Sequence, residues 1–343
     1  MPSAEVKGVE MGERGAAADG GVALPAEFAA AFASLGFGAA QFGNLGKAVS
    51  ADDCAEAVDH AWRHGVRYFD TAPHYGLGLS ERRLGRSLAA RARDEFVLST
   101  KVGRLLRENP EPTGSDEQNG FHVSDDLMRV RDYTADGVRR SIEESLQRLG
   151  LDRIDIVWIH DPEDPSDRFD EAWHGAVPAL ESLREEGVIR AWGVGSKDPT
   201  ILRRFVDHTA PDLLMVAGRH TLIEQQPELL DACQRQHVGV VAVGVFNSGL
   251  LARNRPRDDA WYEYGPAPEH LIIRARRIAD IAERHGVTLP GAALAYPRRH
   301  PAVVNVMAGM RSADQVRRNV SLHECSIPGG FWKELHAEGL SEG

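Results

Sequence analysis

From about residue 31 onward, short apolar runs alternate with longer stretches in which apolar positions recur at helical spacing. The short runs are Leu35 to Phe42, Arg67 to Thr71, Phe96 to Lys101, Ile154 to His160, Ala191 to Ser196, Leu213 to Gly218, Val238 to Phe246 and Val303 to Gly309. The amphipathic stretches include Asp52 to His64, Thr134 to Leu149, Asp170 to Glu186, Pro199 to Asp207, Pro227 to Gln236, Glu269 to His285 and Ala313 to Val320. The former read as buried strands, the latter as helices packed by one face. Strand then helix, eight times, predicts a parallel sheet with crossover helices, and eight strands favour closure into a (β/α)8 TIM barrel over an open doubly wound sheet. Ser50 and Ser80 stand where helix N-caps are expected, and Gly65, Gly150, Gly187 and Gly286 where helices end. The barrel is expected over residues 29–325 as a single domain, between a mobile N-terminal tail (1–28) and a C-terminal tail (326–343).

Two connections break this rhythm. Arg104 to Asp132 is long, interrupted by Pro and Gly, and carries seven acids against four bases; Ala252 to Pro268 is a second long segment, with Trp261, Tyr262 and Tyr264. Loops of that length inside a barrel are commonly functional, and both follow strands, so both are expected over the C-terminal rim. The aromatics of the second either wall a substrate pocket or pack the loop down.

Composition narrows the function classes. In 343 residues, 42% are hydrophobic and 27% charged, and no stretch reaches the ~18 uncharged apolar residues of a membrane span. A net charge of −11 leaves no basic face for nucleic acid. Cys54, Cys233 and Cys325 are far apart, without the spacing of a disulfide framework or thiolate metal site, and fit a reducing cytoplasm. Met1 to Gly21 lacks the basic start and apolar core of a signal peptide. His60 and His64 lie one helical turn apart with no third ligand near, so no metal site is expected. Neither Gly76-Leu77-Gly78 nor Gly36-Phe37-Gly38 completes a dinucleotide fingerprint.

Asp70, Tyr75, Lys101 and His160 sit at or just past the ends of the second, third and fourth apolar runs. Titratable groups where buried strands stop are what a barrel needs to build a site on one rim. A phenol is a poor acid at neutral pH, but a nearby ammonium favours the phenolate and makes proton exchange with an alcohol or carbonyl oxygen accessible. Asp70 would hold Lys101, and His160 could hydrogen-bond the same substrate oxygen. This arrangement suits hydride transfer at carbon coupled to proton transfer at oxygen. Side chains supply no hydride, so a nicotinamide cofactor is implied.

The segment Phe69-Asp70-Thr71-Ala72-Pro73-His74-Tyr75-Gly76, then Ser80-Glu81, Leu84-Gly85 and Ser99-Thr100-Lys101, resembles the aldo-keto reductase family. Ser145-Leu146, Leu149, Asp155, His160, Gly193-Val194-Gly195 and the late Gly309, Arg311, Ser312, Gln315 and Asn319 continue the pattern, over roughly residues 31 to 322. The resemblance implies a (β/α)8 barrel with Tyr75 as general acid/base, Lys101 and Asp70 as its tuning partners and His160 as a substrate-orienting donor. The segments 160–164, 216–222 and 244–251 are similar to the NAD(P)-dependent aldose 1-dehydrogenase branch, which includes dehydrogenases of L-fucose, L-galactose and D-threo-aldoses and pyridoxal 4-dehydrogenase. The sugar enzymes oxidise a cyclic hemiacetal to a lactone. His220 stands where that branch commonly has Tyr.

The cofactor contacts depart from the wider family. Gly195-Ser196 replaces the Ser-Asn pair that holds the carboxamide, Gly218 replaces a Gln, and Val243 replaces the Tyr that stacks on nicotinamide. Ser196, Arg219 and Phe246 are the candidates to compensate, with Ser248, Gly249, Leu251, Gly309, Arg311, Ser312, Gln315 and Asn319 completing the expected NADP or NAD contacts. Arg311 and Ser312 precede a helix whose N-terminus would favour the adenosine phosphate. Gln315 and Arg318 differ from the Arg and Glu often found there, leaving NAD and NADP both open. A cytoplasmic oxidoreductase acting on a sugar-like small molecule, as monomer or small homo-oligomer without nucleic-acid or membrane partners, is the expectation. The alternatives are a reductase of a larger biosynthetic intermediate and a non-catalytic, cofactor-binding regulatory subunit.

Overall fold

Strands that are hydrophobic on both faces can be satisfied only by a sheet covered on both sides or closed on itself. The structure, a computed structural model describing residues 22, 26–163, 166–263 and 265–341, takes the second solution. Its barrel strands are β1 (Gly36–Gly38), β2 (Tyr68–Asp70), β3 (Val97–Val102), β4 (Ile156–His160), β5 (Ala191–Ser196), β6 (Leu213–Ala217), β7 (Gly239–Val243) and β8 (Val303–Gly309). All pair in parallel in chain order, and β8 closes on β1. Each expected run contains one strand. Two are shorter than expected: the chain after β1 tightens into a 3-10 turn over Ala40–Gly43, and β7 ends where Gly244 takes a φ of 67°.

The barrel has a closed end and an open one. The N-terminal helix α1 (Ala26–Phe32) stacks Phe28 on Phe32 and Phe32 on Tyr68, among Val97, Ile156, Trp158, Leu213 and Met307. Asn305 of β8 donates to the carbonyls of Phe32 and Ser34, fixing this plug. Solvent therefore reaches the barrel from the C-terminal rim. Around the strands, α2 (Ala51–Arg63), α3 (Leu79–Leu88) and α4 (Ala135–Leu149) pack in sequence, and Gly85 permits the closest approach: a Cβ there would lie 1.9 Å from the carbonyl oxygen of Leu149.

Several boundaries differ for identifiable reasons. Ser50 caps α2 by accepting from the Asp53 N–H. Ser80 is not a cap: Gly78 occupies that position with φ 80°, and the Ser80 hydroxyl instead donates to the Ala39 carbonyl, 2.7 Å away. The stretch expected as one helix over Asp170 to Glu186 contains a π turn at Ala172–Ala176, just ahead of Pro178, whose missing N–H interrupts the ladder. Arg104–Glu108 and Leu127–Arg131 form an antiparallel hairpin rather than an irregular loop. Within the expected C-terminal tail, Gly329–Ala337 forms a helix that buries Phe331 and Leu335 in a satellite core. The expected N-terminal tail lies mostly outside the described residues, as does Tyr264. Among the described residues no helix is long and apolar enough to cross a membrane.

Candidate active site

The site's first three groups are delivered by strand register. Asp70 ends β2 and pairs with Ser99; Lys101 of β3 pairs with Trp158; His160 ends β4 and pairs with Gly195. Tyr75 arrives by a turn instead, closed by bonds from the Gly78 N–H to the Pro73 carbonyl (2.8 Å) and the Ser80 N–H to the Tyr75 carbonyl (3.2 Å). That turn lies against the 3-10 turn after β1. A Cβ at Gly43 would meet the Tyr75 carbonyl carbon at 2.5 Å, and Gly76, at φ 60°, faces the Gly43 carbonyl equally closely. Glycine at both positions sets the height of Tyr75 above the barrel.

Lys101 Nζ lies 2.5 Å from Asp70 Oδ2 and donates to the Thr71 carbonyl at 2.9 Å, while Ser99 donates to Asp70 Oδ1 at 2.7 Å. Both members of the pair are buried. Burial pushes the Asp70 carboxyl up from its ordinary value, against the pull of Lys101 and Ser99. The ammonium is 5.0 Å from the centre of the Tyr75 ring, and the His160 ring stands edge-on to that ring at 5.9 Å. His160 is held well below its usual range, first by burial and then by Arg104, Lys101, His74 and Arg131, so it is neutral at physiological pH. Its Nε2 lies 3.4 Å from Asp161 Oδ2, a pure acceptor, which favours the tautomer carrying the proton on Nε2.

The hairpin after β3 locks this geometry from above. Arg104 donates to Asp161 Oδ2 at 2.6 Å and to His74 Nδ1 at 3.2 Å. Arg129 grips Asp116 with two bonds and the His74 carbonyl with a third. Arg131 reaches Tyr133 and the carbonyls of His160 and Asp161. Sequence reasoning assigned no role to these arginines or to His74; their signal was the start of the hairpin three residues past Lys101.

The expected cofactor residues line the opposite arc. Ser196 ends β5 and donates to Glu163 Oε1 at 2.6 Å while accepting from the Asp198 N–H. Arg219 is engaged by Glu263 and the Tyr262 hydroxyl of the second long segment. Tyr262 packs against the satellite core and Trp261 is 56% exposed. Phe246 bridges the main and satellite cores, Ser248 has φ 57°, and the N–H groups of Gly249 and Leu251 both bond the Phe246 carbonyl. Gly309 faces the Gln41 amide, so closely that a Cβ would sit 2.4 Å from its nitrogen. Ser312 caps the helix Ala313–Glu324 by accepting from the Gln315 N–H, and Gln315 Oε1 accepts from the Arg311 N–H. The Arg311 guanidinium has no hydrogen bond or ion pair with any described residue, and Asn319 is buried nearby on the helix.

Residues 34–337 match the aldo/keto reductase family. The chain belongs to that family. It is 50% identical to a D-threo-aldose 1-dehydrogenase from Pseudomonas sp. over 324 residues, 93% of this chain and 95% of the relative. It is 37% identical to a pyridoxal 4-dehydrogenase from Microbacterium luteolum, over 90% and 94% of the two chains. Among solved structures, a glycerol dehydrogenase from Gluconobacter oxydans superposes with a TM-score of 0.71, covering 94% of this chain and 95% of that one at 22% identity, a likeness of fold.

As an aldo-keto reductase the chain is an oxidoreductase that works with a nicotinamide cofactor. The arc suits such a group: the Arg311 guanidinium, unengaged by any described residue, stands ahead of a capped helix. It also keeps acceptors that no described residue satisfies, Gln41 Oε1 and Asn247 Oδ1. The proton-handling arc is complete within the protein itself.

Proposed function

We propose that this aldo-keto reductase oxidises the hemiacetal of an aldose to a lactone in a reducing, cytoplasmic setting, with Tyr75 as its general acid/base. The observation that carries the chemistry is the buried Asp70–Lys101 pair beneath Tyr75, facing a neutral His160. The 50% identity to D-threo-aldose 1-dehydrogenase supports the sugar class. A threo relation concerns two neighbouring hydroxyl-bearing carbons, so a site selective for it must read hydroxyls beside the reacting carbon.

A bound nicotinamide would supply the hydride acceptor for the carbon bearing the hydroxyl. Tyr75 takes the hydroxyl proton as the C=O bond forms. Lys101 favours the phenolate form of Tyr75 that accepts this proton, and Asp70 holds the ammonium in place without screening by water. His160 orients the same substrate oxygen, its Nε2–H exchanging Asp161 Oδ2 for that oxygen when substrate binds. In the reverse direction the same groups return the proton. Arg311 and the capped helix after it would hold the adenosine phosphate, with Gly309, Gln315 and Asn319 as neighbours. Ser196, Arg219, Phe246, Ser248, Gly249 and Leu251 line the remaining path.

Absorbance at 340 nm, followed with a panel of free aldoses and pyridoxal against NAD and NADP in parallel, tests this reading. Turnover of aldoses above pyridoxal is expected, and the better coenzyme identifies the 2′-phosphate preference. Cofactor binding without turnover of any substrate would favour the regulatory-subunit alternative.

A further inference from the structure

The residue before Tyr75 has a fixed tautomer and an open hydrogen. Arg104 donates to His74 Nδ1, and a guanidinium has no lone pair to offer, so Nδ1 carries no proton. His74 is held neutral, well below its usual range, by burial and by Arg104, Arg129, Arg131 and Lys101, so its one ring proton resides on Nε2. Nε2 has no hydrogen-bond partner among the described residues, and it is not sealed from solvent as both ring nitrogens of His220 are.

The ring's place is equally defined. It stands edge-on to His160 at 5.5 Å and lies 6.0 Å from the centre of Tyr75, with Phe121 packed against it at 5.3 Å. Its backbone carbonyl is gripped by Arg129. His74 is thus the immediate neighbour of both Tyr75 and His160, the two rings that the reaction described above uses. A fixed donor beside that pair has reach to an oxygen on the neighbouring carbon, and to nothing in a substrate that lacks one.

We propose that His74 is a specificity-determining residue whose Nε2–H donates to the hydroxyl on the carbon next to the reacting one, with Arg104 as the positioning residue that sets its tautomer. The inference rests on the aldose reading and deepens it: the enzyme selects 2-hydroxy carbonyls and lactols over 2-deoxy analogues. A site that offers a buried donor rejects substrates that leave it unpaired, whereas an apolar wall discriminates weakly.

The test is kcat/KM for a turned-over aldose against its 2-deoxy analogue, in the native enzyme, His74→Phe and His74→Gln. The native enzyme is expected to favour the aldose by about tenfold or more. His74→Phe keeps a ring against Phe121 but loses the donor, and should bring the ratio close to one. His74→Gln retains an N–H near the same position and should restore part of it. Should His74→Phe fail to fold, judged by circular dichroism, His74→Leu serves as the donor-free variant and an unchanged ratio in it overturns the proposal, as does a native ratio near one. So does an unchanged ratio in a folded His74→Phe. Absence of turnover with every aldose would remove the aldose reading itself, and this inference with it, whereas turnover with unaltered discrimination removes only the role of His74.

Discussion

The two arcs of the rim solve opposite problems. Along β2 to β4, the charged groups of the site are partnered inside the protein: Lys101 with Asp70, Arg104 with Asp161 and Arg129 with Asp116. Along β5 to β8 and the turn after β1, Arg311 is unengaged and the acceptors of Gln41 and Asn247 are unsatisfied by any described residue. Proton transfer needs groups that do not reorganise during the reaction, so the first arc is assembled in advance. On the proposed function, coenzyme binding would need groups whose best partner is the ligand, and the unengaged Arg311 is such a group. Preorganisation and receptivity are therefore segregated by strand.

The sharpest challenge to this division is Lys101→Met. It leaves Asp70 buried without a counter-ion and should destabilise the fold by about 3–5 kcal/mol, read from denaturant unfolding. Adding Asp70→Asn should recover much of the stability and none of the turnover. If Lys101→Met is as stable as the native chain, the arc is not self-completing. Tyr75→Phe, which removes one hydroxyl, should lower kcat by ~10² or more with little change in coenzyme Kd. A large loss of coenzyme affinity would break the segregation from the other side. Arg311→Ala should do the reverse, raising coenzyme Kd about tenfold or more, measured by fluorescence titration, with kcat at saturation nearly intact. The smallest effect is on pH. Arg104 depresses His160, so Arg104→Gln should let His160 take up a proton at higher pH. The acid limb of kcat/KM then moves upward in pH; an unmoved limb would show that burial alone keeps His160 neutral.

The eight strands were legible because each is a short apolar run set between stretches of helical spacing, and the candidate relay residues because they lie at or just past the ends of three neighbouring runs. Ser80 was misplaced because a serine two residues past a left-handed Gly78 looks, in one dimension, like a serine at the helix start. The hairpin Arg104–Arg131 was hidden by its composition: Asn109, Pro110 and Gly114 punctuate its loop and the paired segments alternate weakly. His74 was read only as part of a motif. Its significance depends on an arginine thirty residues later in the chain, and no periodicity links the two.

The placement of Gly43 against the Tyr75 turn has an evolutionary consequence. Because a side chain there would collide with the backbone that carries the phenol, substitutions after β1 cannot accumulate without moving the reacting oxygen. Drift in the first quarter of the chain is thereby constrained by chemistry located on another strand.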